Sequence, residues 1–177
     1  MSAANPNLID ELEERLRFET LIADLSSKFV HLSAGQVDRE IMEAEGHICN
    51  ALNLDISAIW QWSAGPPGSF TLTHYYSAQD GPQPAMPLRD TDFPWFRQLM
   101  IEGRIVPISS LEQMPAEAAL DRDNCRRLGV KSNLCLPLRV GGEPPIGILG
   151  LNTTRAERDW PDALVKRLQL VAQVFCN

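Results

Sequence analysis

Apolar positions in the first part of the chain recur at helical spacing. They predict a helix from about Asn5 to Leu32, with Asn5 as its cap and Pro6 at its first position. At 100° per residue the apolar side chains form two stripes on nearly opposite sides. One stripe holds Leu8, Ile9, Leu12 and Leu16, and the other holds Phe18, Leu21, Leu25, Phe29 and Leu32. We expect the second stripe to pack on the domain's own core and the first to meet either a partner chain or an unseen neighbour. Burial of both stripes within the domain is the alternative.

A second helix is predicted from about Asp38 to Leu52. Ile41, Ile48 and Leu52 share one of its faces, and Asn53 suits the left-handed position that ends a helix. Glu45 lies at the edge of that apolar face. Because glutamate is rarely buried completely, we expect its side chain to reach solvent, and a role as a pocket acid is the alternative.

The hydrophobic period then changes to that of β-strands, in segments rich in β-branched and aromatic residues. The predicted strands are Asp55–Trp62, Phe70–Ser77, Arg104–Ile108, Lys131–Val140 and Pro145–Thr153. Turn residues between the first two and between the last two predict two hairpins. Pro107 predicts an edge position for the middle strand. The pattern therefore predicts a sheet of five strands, or of six if one weaker segment joins it.

Two long connections separate these strands, and each contains a helix candidate. The first carries DFPWFRQLMIEG and the second PAEAALDRDNCRRL. Connections of this length in a compact domain usually cover a functional site. A last helix is predicted with Asp159 as its cap and with Leu164, Leu168, Val171 and Phe175 as its buried stripe. Because the apolar stripe extends almost to Asn177 without a residue that ends a helix, we expect the natural protein to continue beyond Asn177.

Composition and charge narrow the classes of function. The 177 residues suit one domain, and 16 Lys and Arg against 23 Asp and Glu give a net charge of −7, which argues against nucleic acid as a ligand. No apolar run is long enough to span a membrane and no leader pattern is present, so we expect a cytoplasmic segment without membrane contact. The cysteines, Cys49, Cys125, Cys135 and Cys176, lack metal-binding spacing. We expect reduced thiols and no metal site.

The order of elements and several motifs resemble the GAF domain, a small-molecule sensory module of signalling proteins. The motifs are DISAIWQW, GVKSNLCLPLRV followed by two glycines, PIGILGLN, and the closing TRAERDWPDALVKRLQLVAQVF. The resemblance covers roughly residues 18–177 and leaves 1–17 as an N-terminal helical extension. It implies an α+β, three-layer domain with a central antiparallel sheet and helices on both faces. It also implies a ligand pocket beneath the long connections.

The resemblance further implies a place in a signal-transduction protein such as a histidine kinase. In such proteins GAF domains are joined by helices that pair across a homodimer, and an effector domain would follow Asn177. The family's cyclic-nucleotide pattern is missing, since TTRAERDW follows Asn152. Bilin attachment usually uses a cysteine followed by His, whereas Cys125 is followed by Arg126. A GAF enzyme that reduces free methionine sulfoxide remains the alternative, with Cys125 and Cys135 as its thiols.

The candidate ligand site lies between the aromatic connection helix, the second strand and the strand that begins at Ser132. Apolar walls with a few polar groups are typical of small-molecule pockets. Strict alternation places His74 on the same strand face as Phe70, Leu72 and Tyr76. The predicted ligand-binding residues are Trp62, His74, Tyr76, Phe93, Trp95, Phe96, Ser132 and Leu134. Ordinary core packing is the alternative for the aromatic residues, and a partly exposed position on the strand is the alternative for His74. The sequence indicates no catalytic residue, and it leaves the ligand or cofactor unknown.

Overall fold

The elements follow one another as the sequence predicts. A computed structural model describes residues 6–30, 32–62, 70–78 and 90–176. Within them the helices are α1 (Pro6–Val30), α2 (Val37–Leu52), α3 (Pro94–Ile101), α4 (Ala119–Arg127) and α5 (Asp162–Val174). The strands are β1 (Ile56–Trp62), β2 (Phe70–Ser77), β3 (Val106–Ile108), β4 (Ser132–Leu138) and β5 (Gly147–Thr153). No helix of the described ranges is long and apolar enough to cross a membrane.

One antiparallel sheet organises the domain. Its five strands have the order β2-β1-β5-β4-β3, and every neighbouring pair is antiparallel. Pro107 lies in β3 at the edge of the sheet, where its missing N–H costs least. The predicted α+β class, the antiparallel sheet and the helices on both of its faces are confirmed.

The helices α1, α2 and α5 cover one face of the sheet, which we call the helical face. The sheet contributes a layer of leucines to this core: Leu134, Leu136, Leu149 and Leu151 are at most 1% exposed. The first and last helices meet here, and the rings of Phe29 and Phe175 lie 5.7 Å apart, edge to face. The apolar stripe of α1 that begins at Phe18 and the apolar stripe of α5 therefore pack together on the same sheet face, because a sheet face needs a continuous apolar cover.

The two stripes of α1 differ sharply in exposure. Phe18 and Leu25 are each 3% exposed, whereas Leu12 is 56% and Leu16 64% exposed. The side chains of Leu8 and Ile9 lie outside the part that the structure describes. The predicted boundary between residues 17 and 18 falls within α1, which runs unbroken across it. The helical extension and the following effector domain remain predictions.

The expectation for Glu45 is wrong. Its side chain is 0% exposed on the face of α2 that packs over β1, where Ser57 Oγ donates a hydrogen bond of 2.9 Å to Oε1. The second oxygen, Oε2, has no hydrogen-bond partner among the described residues. Burial raises the pKa of Glu45 to about 8, and the Ser57 hydrogen bond opposes that shift. The carboxyl is therefore mostly protonated at neutral pH.

The expected cap of the last helix is also wrong. The helix α5 begins at Asp162, directly after Pro161, which has extended backbone angles of φ −58° and ψ 144°. Proline disfavours helical geometry in the residue before it, so the helix cannot include Trp160 or reach back to Asp159. Trp160 is instead buried, and its Nε1 donates a hydrogen bond of 3.1 Å to the Ile108 carbonyl.

Candidate functional site on the crossover face

A bulge in β2 decides which side chains meet the long connections. The register passes from Ile59 opposite His74 to Trp60 opposite Leu72, so Thr73 has no partner residue in β1. Thr73 Oγ1 donates a hydrogen bond of 3.2 Å to the Ile59 carbonyl. After this bulge, the side chains that alternation would place on one face of the sheet lie on the opposite face. The expectation that alternating side chains of β2 share one face is therefore wrong.

His74 and Tyr76 lie on the helical face. The His74 ring is 8% exposed, and its Nε2 lies 3.3 Å from Asp38 Oδ1 of α2. The Tyr76 ring packs against Gly46 of α2 so closely that a Cβ there would lie 3.0 Å from it. Both side chains thus hold α2 against the sheet edge.

Leu134 and Ser132 are alternate residues of β4, so both lie on the helical face. Leu134 is 0% exposed within the core beneath α1, α2 and α5. Ser132 Oγ donates a hydrogen bond of 2.6 Å to the Ser109 carbonyl and accepts one of 2.7 Å from the Arg158 N–H. This serine fastens the segment before α5 to the start of β4.

The remaining predicted residues come together on the opposite face, which we call the crossover face because α3 and α4 cover it. Phe96 is buried there, and Trp62, Phe93 and Trp95 pack against the same cluster. The ring pairs are Trp62 with Phe70, Trp60 with Phe93, and Trp95 with Phe96, at centroid distances of 3.9, 6.5 and 5.2 Å. The predicted site residues therefore form two groups on opposite sheet faces, and their role in ligand binding stays a prediction.

Small side chains form the middle of the crossover face. Ala58, Gly150 and Cys135 lie directly opposite one another in β1, β5 and β4. A Cβ built on Gly150 would meet nothing closer than 3.7 Å among the described residues. The crossover face is therefore recessed at this row, whereas the same strands carry bulky leucine side chains on the helical face.

A pair of buried amides adjoins the small residues. Asn133 and Asn152 are opposite each other in β4 and β5, and Asn133 Nδ2 donates a hydrogen bond of 2.5 Å to Asn152 Oδ1. The thiol of Cys135 lies 3.0 Å from Asn133 Oδ1. Since an amide carries both donors and acceptors, this pair offers polar groups within an apolar surface.

The helices that cover this face are joined by polar contacts. Asp121 of α4 is 0% exposed and accepts hydrogen bonds from the N–H groups of Trp95, at 3.2 Å, and Phe96, at 2.9 Å. These N–H groups belong to the first turn of α3, which has no intrahelical acceptor for them. Asn124 Nδ2 donates a hydrogen bond of 2.6 Å to the Asp92 carbonyl. The start of α3 is thus held by side chains of α4.

Burial governs the titration of the groups in this cover. It raises the pKa of Asp121, although the N–H groups of Phe96 and Trp95 oppose the shift. Burial also raises the pKa of Cys125 to about 12, with the Asp121 charge adding to it. The pKa of Cys135 is raised by burial as well. Both thiols stay protonated at neutral pH, the form that is a poor nucleophile and a poor metal ligand.

Asp121, Asn133 and Asn152 are not among the site residues predicted from the sequence. The asparagines interrupt apolar strands, SNLCLPL and GILGLN, and a buried polar residue within an apolar run was the available signal. Nothing in the local sequence distinguishes Asp121 from its acidic neighbours. Within the described residues, no group of three or more His, Cys, Asp or Glu side chains could hold a metal ion.

Solved structures share this architecture at low sequence identity. The phycocyanobilin-bound GAF domain of a cyanobacterial phytochrome superposes with a TM-score of 0.71 at 15% identity, covering 90% of this chain and 91% of that one. The GAF domain of an Acinetobacter phosphoenolpyruvate-protein phosphotransferase gives 0.67 at 10% identity, covering 90% of each chain. The GAF domain of a protein described as a sensor histidine kinase from Pseudomonas syringae pv. tomato gives 0.61 at 14%, covering 96% and 91%. At these identities the likeness shows the fold.

No curated protein matches the chain. The family model for the GAF domain matches residues 46–176, from the middle of α2 to the end of α5. That range contains the whole sheet and both cover helices, and we conclude that the chain belongs to the GAF domain family.

Proposed function

We propose that this chain is the regulatory, small-molecule-sensing GAF domain of a signal-transduction protein, and that its ligand binds on the crossover face. The observation that carries the proposal is the row formed by Ala58, Gly150 and Cys135, whose small side chains leave a recess at the centre of that face. Aromatic rings and a buried amide pair border the row. Pockets for small molecules combine these features.

The chemistry of the face favours a compact molecule with one flat apolar part and one amide-like or carbonyl edge. Rings such as Trp60 and Phe93 provide surfaces for stacking. The amides of Asn133 and Asn152 provide the hydrogen bonds that would orient the molecule. Covalent bilin attachment through Cys125 is not part of the proposal, because that thiol is buried and protonated.

The test introduces a larger side chain into the row of small residues. The purified domain is incubated with a cell metabolite extract, freed of unbound material and analysed by native mass spectrometry. We expect a mass increment for the parent and its loss in Gly150→Val, whose new Cβ meets no described atom closer than 3.7 Å. Thr71→Val, on the exposed edge strand, is the matched control and should keep the increment. An increment of equal abundance in Gly150→Val would place the ligand elsewhere, and no increment would count against sensing.

We also propose that the signal leaves through the terminal helices of a homodimer that α1 helps to form. Leu12 and Leu16 are more than half exposed. Burying such a side chain contributes roughly 1.5 to 3 kcal/mol, so an interface between two copies of α1 would be favourable. A twofold dimer is the commonest closed arrangement. A cytoplasmic location and an effector domain beyond Asn177 belong to the same proposal.

Sedimentation tests this interface. The double variant Leu12→Glu, Leu16→Glu should weaken self-association by at least tenfold, because two charges would enter each copy of the interface. Leu120→Glu is the control, since Leu120 is 51% exposed on α4. A parent that stays monomeric at high concentration contradicts the interface, as does a double variant that associates like the parent.

The sulfoxide reductase alternative has one favourable observation, which is that Cys125 and Cys135 belong to the same cluster. Reduction of free methionine sulfoxide to methionine would oxidise two such thiols to a disulfide and release water, with an external dithiol restoring them. Their burial and raised pKa values disfavour that reaction. Turnover of free methionine sulfoxide with dithiothreitol that is lost in Cys125→Ser would establish the enzyme and overturn the proposal above.

A further inference from the structure

A groove lies on another part of the surface, away from the crossover face. It has a volume of about 430 Å³ and runs between the end of β4, the segment after α3 and the last two turns of α5. Leu136 and Ala172, which line it, belong to the core on the helical face. This volume lies within the range of small-molecule sites.

The charge of the groove is opposite to that of the chain. The chain has a net charge of −7, yet the lining residues contain Arg139 and no Asp or Glu. In the described part of the chain, the Arg139 guanidinium has no ion-pair or hydrogen-bond partner. The nearby Arg104, by contrast, forms an ion pair with Glu102, in which Nη1 lies 3.8 Å from Oε2. Arg139 thus brings an uncompensated positive charge to a concave surface.

A glycine makes room for this guanidinium. A Cβ on Gly103 would lie 2.8 Å from Arg139 Nη1, which shows how closely the guanidinium lies over that backbone. Gly103 also has a φ of +70°, a conformation that other residues rarely adopt. Its lack of a side chain leaves the guanidinium against the wall of the groove.

The other walls provide amides and apolar surface. Gln169 and Gln173 are one helical turn apart on α5 and both line the groove. Ile105 and Ala172 contribute apolar surface. The planar guanidinium can donate two parallel hydrogen bonds to a carboxylate, and each glutamine amide can donate another.

We propose that this groove binds a small organic carboxylate with a short apolar body. The carboxylate pairs with Arg139 and the glutamine amides, and the apolar body lies against Ile105 and Ala172. The site is separate from the crossover face and does not depend on what binds there. It adjoins the end of α5, since the backbone N–H of Arg139 is hydrogen-bonded to the thiol of Cys176.

The test is a titration followed by ¹H–¹⁵N NMR, with hexanoate as the probe and hexanamide as its neutral counterpart. Hexanoate should shift the amide signals of residues 136–141 and 169–176 and saturate, whereas hexanamide should bind at least tenfold more weakly. Inorganic phosphate separates carboxylate recognition from general attraction of anions. We expect phosphate to bind at least tenfold more weakly, because it lacks the apolar body.

Matched variants assign the effect to one guanidinium. Arg139→Gln should weaken hexanoate binding at least tenfold, and Arg104→Gln, an exposed arginine nearby, should leave it within twofold. Equal binding of hexanoate and hexanamide would overturn the proposal, as would phosphate that binds as well as hexanoate or an Arg139→Gln variant that binds like the parent. Shifts confined to α3 and α4 would also overturn it.

Alkylation of Cys176 gives an independent measurement. Cys176 lines the groove and is half-buried, whereas Cys49, Cys125 and Cys135 are buried. Saturating hexanoate should slow the reaction of Cys176 with iodoacetamide at least fivefold in the parent and leave it unchanged in Arg139→Gln. An unchanged rate in the parent at saturation contradicts the proposed placement of the ligand.

Discussion

The two faces of the sheet are built from the same strands but differ in the side chains that they present. On the helical face, Leu134, Leu149 and Leu151 are fully buried under three helices. On the crossover face, the same strands present Cys135, Gly150 and a pair of asparagines. A strand with alternating side chains can therefore present large apolar residues on one face and small or polar residues on the other.

The sharpest exception on the helical face is Glu45, and its replacement should give the largest effect. Its pKa is about 8 in the folded protein against 4.5 when exposed, so the folded state keeps a proton that the unfolded state loses between these values. Stability therefore falls as pH rises from 4.5 towards 8, by up to about 5 kcal/mol at 1.4 kcal/mol per pKa unit. Glu45→Gln keeps an acceptor for Ser57 and removes this dependence.

Urea unfolding at pH 5 and pH 8 measures this effect. We expect Glu45→Gln to resemble the parent at pH 5 and to be several kcal/mol more stable at pH 8. Glu43→Gln, at an exposed position of the same helix, is the control and should follow the parent at both pH values. A parent whose stability does not fall over this range would contradict a buried, protonated Glu45.

Adjacent residues of β4 compare the two faces directly. Leu134→Ala removes a fully buried side chain of the helical face and should cost about 3 to 4 kcal/mol of unfolding free energy. Cys135→Ala removes only a sulfur atom from the crossover face and should cost about 1 kcal/mol. Equilibrium urea unfolding checks both. Equal losses would show that the faces do not differ as described.

The same contrast explains what the sequence could predict. The stripes of α1 and α5 are long and periodic, so the helical face followed from spacing alone. The bulge at Thr73 has no local sequence signal, because it depends on pairing with β1. His74 and Tyr76 follow the bulge, so they lie on the opposite face from Phe70 and Leu72, which precede it.

Long-range contacts limited the prediction of the site in the same way. Asp121 reaches α3 across 25 residues of sequence to bind the Phe96 N–H. Glu45 is buried because α2 lies directly over β1, which its own helix does not reveal. The aromatic group Trp62, Phe93, Trp95 and Phe96 could be predicted together because Trp62 lies in β1 and the other three lie in or next to the short apolar helix α3.

A smaller effect than that of Leu134→Ala is expected in the cover of the crossover face. Asp121→Ala removes the acceptor for the N–H groups of Trp95 and Phe96. Leaving buried donors unpaired should cost about 2 kcal/mol, while Asp121→Asn, which keeps one acceptor oxygen, should cost about 1 kcal/mol. Because the loss is confined to the start of α3, we expect hydrogen exchange at these two amides to quicken by roughly 5- to 30-fold with Asp121→Ala. Asp123→Ala, which removes an exposed ion pair with Arg126, is the control and should change exchange little. Slower or unchanged exchange at Trp95 and Phe96 would show that α3 is held by its apolar contacts rather than by α4, and the crossover face would then resemble the helical face more closely than its polar contacts suggest.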